Sequence, residues 1–378
     1  MSNAKKIRIC FVALNSYNLI ANKEQIRHIG GAEVQQWLAA RWLQSRGFQI
    51  CFITLDHGQR DGTPQQGISI YNAYARDSGI PVLRFIWPRW SGLWSAMRRA
   101  DCDVYYQRGG GVETGQVALW CRHNRRKFVH AIASELDCVP SLPSLGHLRE
   151  KALYRYGLNN ADAVIAQTEI QQHLLQRHFS KDSYLVRNCA PPLADSTVEQ
   201  TSEIRREKKT VLWIGRFSPE KRFEWLLELA AQMPENDFIA IGASNKSSAY
   251  AIYLQNTAKH LNNVTLVGEV PYSRMQEYYQ RASVLCSTST KEGFPNVFLE
   301  AWRAGVPVVS TVDPDGVVKK HQLGYVANST NELREGIQRV VASDEEHMKL
   351  SNRCREFFHA NHTPEKTLPA LEKLLLSL

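Results

Sequence analysis

The chain has 378 residues, 43% of them hydrophobic and 22% charged, and a net charge of +9. That length suits two compact domains better than one, the composition is that of a soluble globular protein, and no apolar run is long enough to cross a bilayer. Eight cysteines are scattered singly, with no CxxC pair and no Cys/His cluster, which excludes a zinc finger and points to reduced thiols that pack as small hydrophobes.

The basic excess is uneven. Residues 1–190 hold 24 Lys+Arg against 14 Asp+Glu, and the remainder hold 22 against 23. Such a field attracts nucleic acid, anionic lipid or phosphorylated substrates, and charge alone does not choose among them. The absence of a helix-turn-helix or RNP framework argues against nucleic acid. Met1 to Ile7 leads at once into a strand and lacks the apolar core of a signal peptide, so a cytoplasmic location is expected.

In chain order, Lys6–Ala13 (KIRICFVA) reads as a buried strand. Gly30-Gly31-Ala32-Glu33 then opens an amphipathic helix through Gln44, and Phe48–Leu55 is the next strand. Val104–Gln107, Lys127–Ala133 and Ala163–Gln167 are further short apolar runs followed by polar turns and helical sequence. Strands alternating with helices predict parallel βαβ units. Residues 188–209, with Pro191-Pro192 and a long polar run, read as a linker between an N-terminal domain (1–187) and a C-terminal one (210–360).

The alternation restarts beyond the linker. Strands are predicted at Thr210–Gly215, Asp237–Gly242, Val264–Val270, Val284–Ser287 and Val306–Thr311. Helices are predicted at Phe223–Met233, Ser248–Leu261, Tyr272–Ala282 and Val297–Ala304. The tail from Glu332 is helical and closes with a C-terminal helix within 361–378. Both halves are therefore α/β domains.

Two segments of the second half carry chemistry. Lys291–Trp302 follows an apolar strand and opens a helix, with Pro295 placed in the first turn, where a missing N–H is harmless. The free N–H groups of such a turn suit a phosphate. Glu292 before the helix and Glu300 within it are acceptor-only carboxylates that can grip sugar or ribose diols; equally, they fit a dipole-stabilising Glu and a second Glu on a wet face. Ile214–Lys221 places Arg216 and Lys221 at the carboxyl edge of a parallel sheet, where ligands of doubly wound sheets bind. Arg216 offers a planar fork and Lys221 a point charge for phosphate. A solvated turn is the plainer alternative.

Taken together, GRFSPEK (Gly215–Lys221), LVGEV (Leu266–Val270), EGFPNVFLEAWRAGVPVVST (Glu292–Thr311) and GGAEVQQWLAARWLQSRGFQI (Gly30–Ile50) resemble the family-4 retaining glycosyltransferases of the GT-B fold. That large group includes many bacterial polysaccharide and glycolipid enzymes. The resemblance implies two Rossmann-like parallel-sheet domains facing a central cleft, with the C-terminal helix returning to the first domain. It implies a nucleotide-diphosphate sugar (UDP or GDP) as co-substrate, with no metal and no other cofactor. The acceptor would be a saccharide or a lipid-linked saccharide, and the enzyme would work in the cytoplasm or at the inner face of the membrane.

Residue by residue, the resemblance assigns catalytic roles to Arg216, Lys221 and Glu292, the two cations neutralising the diphosphate and Glu292 holding the transferred sugar. Glu300 would hold the ribose. Backbone of Gly293, Phe294 and Asn296 would reach sugar or phosphate, and backbone from Gly268 to Val270 would read the base. Gly30 and Gly31 would approach the diphosphate from the other domain, where the lack of a Cβ permits close contact.

There are departures from the family. Relatives often carry a His at a first-domain strand end, whereas His130 lies mid-strand here and Ser134, Glu135 and Asp137 sit at the exit. Ser134 and Glu135 are thus the candidates for a first-domain helper. A Gly-Gly turn common after the last strand is replaced by Asp313–Val317.

On the acceptor side, Trp90, Leu93, Trp94 and Met97 share a helical face near Arg89, Arg98 and Arg99. That pattern fits an interfacial helix on anionic lipid, or an ordinary core-facing stripe. Arg108 with Gly109–Gly111 fits an acceptor-phosphate site or a turn. The rival functions are a GT-B sugar-nucleotide epimerase and a non-catalytic nucleotide-binding protein; a dehydrogenase lacks its GxGxxG.

Overall fold

A computed structural model describes residues 7–21, 30–81, 83–193, 209–242 and 248–378. Lys6 and most of the polar linker run, 194–208, lie outside the described residues. The chain divides into two compact units: residues up to Asn188 together with Thr367–Leu378, and Cys189–Lys366.

The first unit is built on strands β1 (Arg8–Val12), β2 (Gln49–Thr54), β3 (Pro64–Gln65), β4 (Ile68–Asn72), β5 (Val104–Arg108), β6 (Lys127–Ala131), β7 (Ala163–Ala166) and β8 (Tyr184–Leu185). They form one sheet in the order β3-β4-β2-β1-β5-β6-β7-β8, parallel throughout except for the β3–β4 edge pair. The central strands are apolar on both faces because helices cover both faces of a parallel sheet. Those helices include Gly31–Ser45, Ser91–Ala100, Val112–His123, Leu148–Asn159 and Glu169–Phe179. Val112–His123 and Leu148–Asn159 approach closely through glycine: a Cβ at Gly115 would sit 2.4 Å from the Leu153 carbonyl oxygen. The C-terminal helix Pro364–Leu376 returns to this unit from Thr367 onward, and Glu372 pairs there with Arg46 at 3.1 Å.

The second unit contains β9 (Thr210–Ile214), β10 (Asp237–Ile241), β11 (Val264–Gly268), β12 (Val284–Ser287), β13 (Val308–Ser310) and β14 (Gly324–Val326). Their order is β11-β10-β9-β12-β13-β14, and every recorded pair is parallel. Numbered within the unit this is 3-2-1-4-5-6, the Rossmann arrangement. The order reverses between β9 and β12, so the connections leaving those two neighbours run to opposite sides and open a crevice at their carboxyl ends.

Several sequence expectations are corrected. The strand expected to reach Val270 ends at Gly268, whose φ of +80° turns the backbone out of the ladder. Pro295 is the cap residue with extended ψ, and the helix starts one residue later, at Asn296–Arg303. The short strands β3, β4, β8 and β14 add to those read from the sequence. Tyr272–Arg274 forms a separate 3-10 turn before the helix Met275–Arg281.

In the Trp90–Met97 stripe the core-facing alternative holds for Leu93, Trp94 and Met97, while Trp90 is partly exposed. Leu93 and Met97 are fully buried in the first core, and Trp94 packs against it while its indole N–H donates to the Gln116 carbonyl at 3.1 Å. Trp90 meets Trp94 edge-on. The helical spacing holds, and protein covers the Leu93 and Met97 part of the face.

His130 in β6 is fully buried, with Nδ1 2.9 Å from the Gln107 side-chain oxygen and its ring against Tyr154. Burial pushes its pKa down to about 3, so the ring stays neutral. An unfolded imidazole binds a proton below about pH 6.5, so acidification favours the unfolded state by roughly 1.4 kcal/mol per pH unit once below that value. Denaturant unfolding at pH 6.5 and at about pH 5, above the usual carboxylate range, checks this: His130→Gln should lose less stability over that interval than the parent chain. Equal losses would show that the folded His130 keeps its unfolded affinity for protons.

Candidate active site

The carboxyl ends of β9 and β12 bring two distant stretches of sequence together. After β9 the chain runs through Gly215 and Arg216 into a 3-10 turn, Pro219–Lys221. After β12 it runs through Thr288–Pro295 into the helix Asn296–Arg303. Hydrogen bonds fasten these loops to one another. The Trp213 indole donates to Thr288 Oγ1 at 3.0 Å, Thr288 Oγ1 donates to the Lys221 carbonyl, and the Thr290 amide donates to the Glu220 carbonyl at 2.9 Å. Arg222, in the left-handed region at φ +47°, adds another by donating Nε to the Thr288 carbonyl at 2.6 Å. Trp213 is itself buried in the core of the unit, so its indole N–H is a fixed anchor.

This fastening sets Lys221 beside Glu292: Lys221 Nζ donates to Glu292 Oε1, and the two side chains are 21% and 19% exposed. The structure therefore brings together a cation and a carboxylate that lie 71 residues apart in sequence. Arg216 stands apart from them. Its side chain is 62% exposed and meets Glu220 Oε1, four residues on, at 3.4 Å. Exposed pairs of this kind are worth only about 0.3–0.5 kcal/mol, so a phosphate can displace the carboxylate readily.

The helix Asn296–Arg303 begins next to Glu292, and its amino end carries the partial positive charge of the peptide dipoles. Gly293 and Phe294 are buried in the lead-in. The Phe294 ring packs on His362 and Trp302 inside the core, which leaves only its backbone for a ligand. Asn296 is half-buried at the helix start. Glu300 is 6% exposed, and Oε2 accepts from the Tyr279 hydroxyl at 2.7 Å. Burial raises its pKa, against the opposing pull of the Tyr279 hydrogen bond, Arg303 and Tyr272. The Gly268 carbonyl accepts from the Gly242 amide at 2.9 Å, and Val270 is half-buried against the second-unit core.

The first-unit candidates occupy different surroundings. Gly30 caps the helix Gly31–Ser45. Ser134 caps the short turn Glu135–Cys138: its Oγ accepts from the Leu136 amide at 3.2 Å, while Asp137 Oδ2 accepts from the Ser134 amide at 3.1 Å. That reciprocal capping uses the Ser134 hydroxyl oxygen as an acceptor, and Glu135 is half-buried beside it. Arg108 donates to Asn188 Oδ1 at 2.7 Å, within the first unit.

Sequence reasoning missed the threonines and Arg222 that fasten the two loops. The only signal of the threonines was the polar run Ser287–Lys291 directly after an apolar strand, and that of Arg222 was its place next to Lys221.

Residues 195–357 match the family described as glycosyl transferases group 1, and residues 30–187 match the glycosyl transferase 4-like domain. An uncharacterized glycosyltransferase of Haemophilus influenzae is 25% identical over 221 residues, which is 56% of this chain and 60% of that protein. The chain thus spans less than two thirds of that relative's length. Among solved structures, sucrose-phosphate synthase from Thermosynechococcus elongatus is 17% identical with a TM-score of 0.79, covering 98% of this chain and 99% of its own. HepE of Anabaena in complex with UDP-glucose is 16% identical with a TM-score of 0.75, covering 98% of this chain and 100% of its own. These likenesses show the shared fold, the two Rossmann-like domains of the GT-B type. The two family matches fall one on each half and together take in most of the sequence: the chain carries a glycosyl transferase 4-like domain followed by a glycosyl transferases group 1 domain.

Proposed function

We propose that this chain is a retaining, metal-independent glycosyltransferase. It moves a hexose from a UDP- or GDP-sugar to a saccharide or lipid-linked saccharide acceptor in the synthesis of cell-surface polysaccharide or glycolipid, in the cytoplasm at the inner face of the membrane. The meeting of Lys221 and Glu292 at the switch point of the second sheet carries this reading. In a sugar nucleotide the phosphate is bonded to the anomeric carbon, so a phosphate-binding cation and a hydroxyl-binding carboxylate must be neighbours. HepE, a protein of the same fold, is described in complex with UDP-glucose.

Breaking the glycosyl–phosphate bond gathers negative charge on the departing diphosphate and positive charge on the sugar ring. Lys221 and Arg216 stabilise the first. Removing one such preorganised group typically costs about 2.7–4 kcal/mol, or 10²–10³ in rate. Glu292 accepts hydrogen bonds from the sugar hydroxyls, Glu300 from the ribose, and the amino end of Asn296–Arg303 faces the anion. The departing phosphate takes the acceptor's proton on the face it leaves, so configuration is kept and no metal is called for.

Lys221→Ala or Arg216→Ala should lower turnover by about 10²–10³ with little change in melting temperature. Near-normal turnover in either would remove that cation from the diphosphate. Glu292→Ala should cost about 10- to 10²-fold, the worth of a charged hydrogen bond, and should fall on kcat/KM for the donor; an unchanged value would leave Glu292 with only its ion pair. A thermal-shift series with UDP-, GDP- and ADP-sugars tests the reading as a whole, because a ligand of the folded state raises Tm. UDP- or GDP-sugars should raise it and Lys221→Ala should abolish the rise. No shift with any of them would sink the transferase reading, and turnover of the donor to an epimer without acceptor would replace it.

A further inference from the structure

Two cavities of the first unit are each walled by three arginines. The larger, about 340 Å³, lies at the amino ends of β6 and β7. Most of its cations are matched: Arg126 pairs with Asp101, Lys127 with Asp162 at 3.0 Å, and Arg122 donates to Asn160. The second, about 260 Å³, lies past the carboxyl ends of β4 and β5, the edge at which doubly wound sheets bind ligands. Its walls include Tyr74, Arg84, Phe85, Arg89, Glu113 and Arg149.

Here the charge is not matched. Among the described residues, none of Arg84, Arg89 and Arg149 comes within ion-pair distance of a carboxylate, whereas nearby Arg99 is held by Asp61 at 2.9 Å. Glu150, which also lines the cavity, is engaged in accepting the amides of Gly146 and His147. Glu113 is the remaining carboxyl; burial raises its pKa against the pull of its own backbone and Arg89. The Arg89 Nε is buried with no hydrogen-bond partner among the described residues, and the Arg149 guanidinium lies 4.5 Å over the Phe85 ring, braced for planar contact. An orphaned buried donor calls for an acceptor from outside.

The segments that carry these arginines also expose large apolar side chains. Ile86 and Trp87 are 66% and 65% exposed between Arg84 and Arg89, with Ile80 and Leu83 just before them, and Leu148, next to Arg149, is 86% exposed. Single exposed apolar residues are ordinary, but five on the two segments that also wall one cationic cavity mark a binding surface.

We propose that this cavity and its apolar apron seat an amphiphilic acceptor: the arginines take its phosphate or diphosphate and the apron takes its hydrocarbon chain. The proposal rests on the transferase reading for the word acceptor, and it places the lipid-facing surface on Ile80, residues 83–89 and residues 148–149 instead of the helix face of Leu93, Trp94 and Met97.

The test uses the full chain with three probes: phosphatidylcholine vesicles, the same vesicles containing phosphatidic acid, and inorganic pyrophosphate followed by titration calorimetry in a Lys221→Ala background that disables the proposed diphosphate site of the second unit. The parent chain should sediment with the phosphatidic acid vesicles, and its Lys221→Ala form should bind pyrophosphate. Arg84→Gln with Arg149→Gln should weaken both by about thirtyfold, roughly fivefold for each arginine. Ile86→Ser with Trp87→Ser should lose the vesicles yet keep pyrophosphate, while Arg122→Gln with Arg125→Gln at the other cavity should change neither. Pyrophosphate binding without vesicle binding would overturn the amphiphile in favour of a soluble phosphorylated ligand. Loss at the Arg122 cavity, or no loss at Arg84 and Arg149, would place the site elsewhere. The UDP-sugar thermal shift, read on the same proteins with Lys221 intact, separates the two failures: its absence alongside intact vesicle binding strikes the transferase reading, and its presence without vesicle binding strikes only this one.

Discussion

The second unit is organised by the reversal of strand order between β9 and β12, which leaves no connection crossing directly between those two neighbours and so opens their carboxyl ends. Two loops that each project a charge into such an opening would be poorly placed if they were loose. Here Thr288 joins the Trp213 indole to the Lys221 carbonyl, and Arg222 holds the Thr288 carbonyl from the other side. The Lys221–Glu292 pair is thus positioned by backbone anchors, and its own attraction need not hold the loops. That matters for a binding site, because a ligand can then separate the pair without unravelling what positions it.

Burial sorts the acidic groups of this region into different tasks. Glu292 is partly exposed and carries its own cation. Glu300 is enclosed, with a tyrosine hydroxyl on one oxygen and a pKa raised by desolvation. A buried carboxylate without such a donor would be costly, and Tyr279 meets part of that demand. The orientation of Glu300 is consequently fixed by the core, while Glu292 keeps part of its side chain exposed. A short helix, Asn296–Arg303, carries Glu300 on its buried side and starts beside Glu292, so one element controls the spacing of both.

How legible this was in the sequence depends on the range of the interactions concerned. The strand–helix alternation and the positions of Arg216, Lys221 and Glu292 in loops after strands were readable because each is written in a few consecutive residues. The proximity of Lys221 to Glu292 followed only from the doubly wound order, since nothing local links them. The helix at Ser91–Ala100 shows the limit from another direction: its amphipathic spacing established an apolar face, but not whether lipid or protein would cover it, and Leu93 and Met97 are core. The edge strands β3, β8 and β14 are two or three residues long and leave no period to detect. The cavity of Arg84, Arg89, Glu113 and Arg149 draws on segments far apart in the chain, so its arginines looked like scattered surface charge.

The two units use the same edge of the same kind of sheet for opposite electrostatic arrangements. At the second unit's switch point the buried-side cation and carboxylate satisfy one another until a ligand intervenes. In the first unit's cavity the guanidinium groups are left without carboxylate partners among the described residues, and a buried Arg89 N–H has no acceptor there. A site that is self-satisfied when empty costs little stability and must exchange internal bonds for those of its ligand. A site left unsatisfied costs stability when empty and returns that cost as affinity when an anion arrives. The uneven distribution of basic residues between the halves follows the same division: the positive excess lies in the half whose cavity leaves its guanidinium groups without ion pairs among the described residues, and the near-neutral half holds the paired Lys221 and Glu292.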